Sequence, residues 1–123
     1  MNFNSIRAFI GAKDFNESRA FYRQMGFEEL EIDSKMSYFK ISKQIGFYLQ
    51  DYYIKEWVDN SMLFLEVDDL DLYLQEILDK ELSKKYRLVK VSEIRDNDWG
   101  REFFMYDPSG VLWHIGEFKN ASE

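Results

Sequence analysis

Residues 62–82 read MLFLEVDDLDLYLQEILDKEL, and two periodicities meet inside that stretch. Met62–Val67 alternates as a strand does, Asp69 can accept hydrogen bonds from a first helical turn, and Leu70, Tyr73, Leu74, Ile77 and Leu78 recur at helical spacing, which predicts a helix over Leu70–Leu82. The same order occurs earlier in the chain. Ile6–Ala12 (IRAFIGA) alternates, Asp14 caps, and a helix over Phe15–Met25 carries Phe15, Phe21, Tyr22 and Met25 before stopping at Gly26. Asp14 and Asp69 lie 55 residues apart.

Three β-like runs follow the first helix: Phe27–Ile32, Met36–Ile41 and Ile45–Gln50. Their separators, Asp33-Ser34-Lys35 and Ser42-Lys43-Gln44, are short and polar, as hairpin connections are. The second helix is followed by a run at Tyr86–Ile94, a polar loop Arg95–Gly100, a strand Glu102–Tyr106, a turn Asp107-Pro108-Ser109-Gly110 and a last strand Val111–Phe118. Both halves therefore read βαβββ. The expectation is an α+β fold in a single domain, residues 1–123, built of two βαβββ modules at roughly 1–55 and 60–123. Side by side these would form a curved, mostly antiparallel sheet with a concave groove, the helices on its outer face. Alternation assigns Ile6, Ala8, Ile10, Ala12, Phe39, Ile41, Phe47, Leu49, Leu63, Leu65, Val67, Phe103, Met105, Val111, Trp113 and Ile115 to the core. It sends Arg7, Phe9, Tyr38, Tyr48, Met62, Phe64, Glu102, Phe104 and His114 to the groove.

Composition narrows the function. The chain has no cysteine, which excludes a disulfide framework, a thiolate zinc site and a thiol nucleophile, and fits the cytoplasm. Met1–Gly11 lacks the pattern of a secretion signal, and no apolar run reaches the roughly 18 residues of a membrane span. The formal charge of −7 disfavours nucleic acid and anionic membranes and would attract a cationic ligand. Aromatic residues make up 18% of the chain, more than a core of this size needs, so some are expected to line a cavity. No serine sits in a nucleophile-elbow context, and no glycine-rich phosphate loop exists among the 6 glycines.

The duplicated order, Ser18-Arg19-Ala20-Phe21-Tyr22 closing at Gly26-Phe27, Val67-Asp68-Asp69-Leu70 and Asp107-Pro108-Ser109-Gly110 together resemble the vicinal-oxygen-chelate superfamily of glyoxalases, extradiol dioxygenases and antibiotic-resistance proteins. Trp99-Gly100-Arg101-Glu102-Phe103, followed by the Asp-Pro-Ser-Gly turn and His114, is most similar to the bleomycin-resistance branch. The resemblance implies metal-ligand positions at Arg7, Met62 and His114, with a fourth near Tyr48. A guanidinium repels cations, a thioether is a poor ligand for hard divalent metals and one imidazole is too few, so no metal and no cofactor are expected.

The resulting expectation is a metal-free binding protein for an aromatic or cationic drug-like ligand, held by Arg7, Phe9, Tyr38, Tyr48, Met62, Phe64, Trp99, Glu102, Phe104 and His114, with Trp99 at the rim and Trp57 either a second rim aromatic or a packed surface anchor. The resemblance also implies a homodimer whose sites draw on both chains. Members that exchange an N-terminal strand carry a proline in it, and here the single proline is Pro108. The competing function is a lyase, isomerase or dioxygenase-type enzyme. Strand adjacency would let it pair Glu102 with His114 as a proton-transfer couple.

Overall fold

A computed structural model of the chain describes residues 1–119. The chain divides between Asn60 and Ser61 into two compact units.

The first unit holds β1 (Phe9–Gly11), α1 (Phe15–Gln24), β2 (Glu28–Asp33), β3 (Met36–Ser42), β4 (Ile45–Gln50) and the short α2 (Lys55–Asp59). The second holds β5 (Met62–Glu66), α3 (Leu70–Asp79), a single turn α4 (Leu82–Lys85), β6 (Arg95–Asp96), β7 (Gly100–Tyr106) and β8 (Leu112–Phe118). Each unit forms one four-stranded sheet, ordered β1-β4-β3-β2 and β5-β8-β7-β6. Two of the three pairings in each sheet are antiparallel; the outer pairings β1 with β4 and β5 with β8 are parallel. The fold is α+β, and the βαβββ order read from each half is present in each.

Both helices start as their sequences dictate. Asp14 accepts from the Glu17 N–H and Asp69 from the Leu72 N–H, each at 3.1 Å. Each then lays its apolar face on one side of its own sheet. In the first unit Tyr22 of α1 packs against Phe39 and Phe47 and meets Phe21 edge to face, and all four are buried. In the second, Leu70 and Ile77 of α3 are buried along with Phe103, Met105, Trp113 and Ile115 of β7 and β8.

A charged network ties α1 down. Glu29 of β2, with its side chain 8% exposed, accepts from Arg19 Nε at 2.6 Å and from Arg23 and the Ser37 hydroxyl, while Arg19 also reaches Glu31. Burial pushes the Glu29 carboxyl up, but the hydrogen bonds from Arg19, Ser37 and Arg23 outweigh it and hold its pKa below the ordinary value. In the second unit Arg101 of β7 bridges Asp71 at 2.6 Å and Glu117 at 3.1 Å, and Glu117 accepts from the Leu70 N–H at the start of α3.

Four expectations fail in detail. The first strand begins only at Phe9, and Ile6 and Ala8 are exposed rather than core; Ile6 is 97% exposed. Ala8 still accepts from the Tyr48 N–H, so the chain runs on beside β4 with nothing among the described residues covering its side chains. The helix predicted to reach Leu82 stops at Asp79, because Glu81 turns into the left-handed region at φ 53°. Tyr86–Ile94 is not a strand. It touches β7 through one bridge, Val91 to Met105, and the Ser92 hydroxyl, not a backbone carbonyl, accepts the Phe104 N–H, which ends the ladder. The polar loop instead contributes β6 and a tight hairpin, in which Asn97 and Gly100 exchange backbone hydrogen bonds and Asp98-Trp99 form the tip.

Candidate functional site

The helices α1 and α3 each pack on one face of their sheet; most of the candidate site residues lie on the other. The registers of the two sheets coincide. In the first unit Tyr48 of β4 stands between Phe9 of β1 and Tyr38 of β3; in the second, His114 of β8 stands between Phe64 of β5 and Phe104 of β7. Each unit therefore presents three rings side by side, with a phenol at the centre of one set and an imidazole at the centre of the other.

The first set is a stacked platform topped by a cation. Phe9 and Tyr48 stack at 4.8 Å with 17° between planes, and Tyr38 tilts against Tyr48 at 5.3 Å. The Arg7 guanidinium lies 4.2 Å above the Tyr38 ring and donates to the Tyr48 hydroxyl at 3.0 Å. Tyr38 is consequently buried rather than open to solvent, wedged over Gly46, where any side chain would collide with its ring. Trp57 lies on α2 against Tyr52 and over Gly11, where a Cβ would come within 2.6 Å of its ring. It is an anchor packed on β1.

The second set is larger. Phe104 meets His114 edge-on at 4.9 Å, and Phe64 lies nearly parallel to His114 at 6.5 Å. Phe64, Trp99 and Phe118 form a continuous aromatic patch, with ring separations between 5.1 and 5.6 Å. The patch rests on Gly116, where a Cβ would sit 2.8 Å from Phe64 and 3.1 Å from Trp99. Phe64 is 46% and Met62 63% exposed. A cavity of about 370 Å³ adjoins this face, lined by Val91, Phe104, Tyr106, Leu112 and His114 with Lys90 and Ser92. Phe118 was absent from the expected set, although it shares the parity of His114 along β8.

His114 and Glu102 are paired as strand adjacency suggested. Nδ1 lies 3.0 Å from Glu102 Oε1, and Asn97 donates to Glu102 Oε2 at 2.7 Å. The Trp99–Phe103 motif thereby resolves into separate duties. Trp99 forms the hairpin tip, Gly100 lets the chain pass against the Glu117 carbonyl, Arg101 holds α3, Glu102 holds His114 and Phe103 fills the core.

Similarity to solved structures follows this geometry. A bleomycin-binding protein from the bleomycin producer Streptomyces verticillus, solved with copper(II)-bleomycin, superposes with a TM-score of 0.79 at 19% identity, covering 97% of this chain and 99% of that one. Another bleomycin-binding protein, solved with bleomycin, gives 0.78 at 17% identity and covers 95% and 100%. A fosfomycin resistance protein, FosX, from Listeria monocytogenes, solved with Mn(II) and sulfate, gives 0.70 at 16% identity and covers 97% and 93%. No protein-family model matches the chain. No curated protein sequence matches it. The fold is the one these bleomycin-binding and fosfomycin resistance structures share.

The metal that the sequence resemblance implies does not fit the residues present. In the first unit the Arg7 guanidinium is committed to Tyr38 and Tyr48, a fixed positive charge where a ligand would be needed. In the second, Met62 offers a thioether, and His114 supplies a single imidazole nitrogen, too few ligands to hold a divalent metal. Among the described residues no three His, Cys, Asp or Glu side chains converge as a metal-holding group, and no helix is long and apolar enough to cross a membrane.

Proposed function

We propose that this chain is a binding protein for a planar, drug-like small molecule, aromatic or cationic, which it takes up without a metal, and that it works as a homodimer. The observation that carries this reading is the pair of ring triads at equivalent register positions on the faces turned from α1 and α3, with the 370 Å³ cavity beside the second. Stacking on such rings contributes on the order of 1 kcal/mol per contact. Two ring faces already carry the chain's own cations, Arg7 over Tyr38 and Arg95 over Phe104 at 5.6 Å. Stacking therefore contributes more to recognition than cation–π contact with the ligand. The homodimer reading is supported by the exposed Met1, Phe3 and Ile6 ahead of β1 and by Met62, Phe64 and Phe118 in the second unit.

Titration of intrinsic tryptophan fluorescence with metal-free bleomycin tests the reading. The expected result is saturable quenching, dominated by Trp99 because Trp113 is buried in the core, on a species of twice 14.9 kDa by light scattering. A flat response to bleomycin and to other planar aromatic compounds would remove the proposal. Near-stoichiometric Mn, Fe, Ni or Zn in the purified protein would remove its metal-free part.

A second reading, lyase or isomerase chemistry with His114 as the proton-transfer group, is favoured by the 3.0 Å pairing of Nδ1 with Glu102. A His114→Ala variant separates the two, since it abolishes any such turnover yet keeps bleomycin affinity within about tenfold.

A further inference from the structure

One polar atom in the second unit has no use in the fold. His114 Nε2 is shielded from solvent and has no hydrogen-bond partner among the described residues, although buried polar groups in folded proteins are nearly always satisfied. The opposite side of the ring fixes what Nε2 can do. Glu102 receives the Asn97 amide on one carboxylate oxygen and faces His114 Nδ1 with the other. An ionised carboxylate accepts only, so the proton of the neutral imidazole belongs on Nδ1, and Nε2 is left as a bare lone pair. The imidazole ring itself packs against Phe104 at 4.9 Å and lies nearly parallel to Phe64 at 6.5 Å, and His114 lines the 370 Å³ cavity. The nearby Ser92 hydroxyl cannot serve Nε2, since it donates to the Glu93 carbonyl at 3.0 Å and accepts from the Phe104 N–H at 2.8 Å.

We infer that the ligand of this site is a planar aromatic carrying a ring N–H or phenolic O–H, and that it donates this hydrogen to His114 Nε2 while its ring packs against Phe104 and Phe64. The inference rests on the proposed binding function and names the chemical class that the site selects. It also gives a residue at a metal-ligand position of this superfamily a different task. The imidazole that would bind a cation through its lone pair offers the same lone pair to a neutral donor, and Glu102 with Asn97 holds the tautomer that makes it available. A hydrogen bond of this kind selects more sharply than stacking, because a ligand without the donor leaves the buried nitrogen unpaired.

His114 is the sole histidine of the chain, so its imidazole can be followed by two-bond 1H–15N NMR without assignment. In the free full-length protein with a neutral ring, Nδ1 is expected to be protonated and Nε2 bare; a protonated Nε2 on the neutral ring overturns the inference whatever binds. Indole and 1-methylindole then form a matched pair, the second lacking only the donor. Indole is expected to bind about tenfold tighter and to move the Nε2 resonance, which 1-methylindole leaves in place. In a His114→Phe variant, which keeps a ring of similar size, the two are expected to bind equally. Equal affinity for the natural protein, or a preference that survives in His114→Phe, overturns the inference. If bleomycin binds and neither indole does, the donor inference fails alone; if nothing binds, the proposed function fails with it.

Discussion

Replacing Asp107 with alanine is expected to cost about 3–5 kcal/mol of stability, read as a shift in the midpoint of chemical denaturation. Asp107 is fully buried, and one of its carboxylate oxygens accepts three backbone N–H groups, from Ser109 at 2.8 Å and from Gly110 and Val111 at 2.9 Å. Alanine removes that acceptor while keeping the turn in place around it. Ser109 and Val111 each lose that acceptor within a buried segment, a loss of about 1–3 kcal/mol apiece. Gly110, held at φ 102°, retains one bond to the Asp107 carbonyl. Asparagine, which keeps a side-chain oxygen, is expected to recover part of the loss. The effect reaches the site, because this turn joins β7 to β8 and so aligns Phe104 with His114. A denaturation midpoint for Asp107→Ala within 1 kcal/mol of the parent would show that the turn is held by something else.

A Glu29→Ala variant is expected to lose about 2–3 kcal/mol. The carboxylate is buried with three donors around it, so its removal strands Arg23 and the Ser37 hydroxyl and leaves Arg19 only its bonds to Glu31 and Asn16. Both arginines remain partly in water, with side chains 21% and 49% exposed, which keeps the loss below that of a fully buried pair. The same group gives the fold an acid-sensitive term. Its folded-state pKa lies below the ordinary value of 4.5, so its contribution is complete above that value and drains away as pH falls through the folded one. Glu29→Gln is therefore expected to flatten the acid limb of the stability–pH curve below about pH 4.5 while leaving its shape near neutrality unchanged. An unchanged acid limb would assign the slope to other carboxylates.

Legibility of the fold followed the strength of local signals. β4 was placed to the residue because turn-forming polar segments bound it, and both N-caps fell where aspartate precedes an apolar helical stripe. Ile6 and Ala8 misled because alternation reports which way side chains point, not whether anything covers them. The break at Glu81 carried no glycine or proline to announce it. Tyr86–Ile94 has strand composition, yet the Ser92 hydroxyl takes a ladder position that no propensity encodes. At the site, parity was enough to place Tyr48, Phe64, Phe104 and His114 on the faces turned from the helices. The commitment of Arg7 to Tyr38 and the seat of Trp99 on Gly116 depend on tertiary packing. Asn97, which completes the Glu102–His114 arrangement, lay in a stretch read only as polar loop.

The coincidence of register between Tyr48 and His114 bears on how such a protein can change. The scaffold is secured on the reverse of each sheet by Phe39 and Phe47 in one half and Phe103 and Ile115 in the other, so the outward central residue is free to vary without refolding. Selection can retune one half at a time, exchanging phenol, imidazole or amide at a single codon while the duplicated frame stays intact, and a repertoire of ligands becomes reachable in small steps.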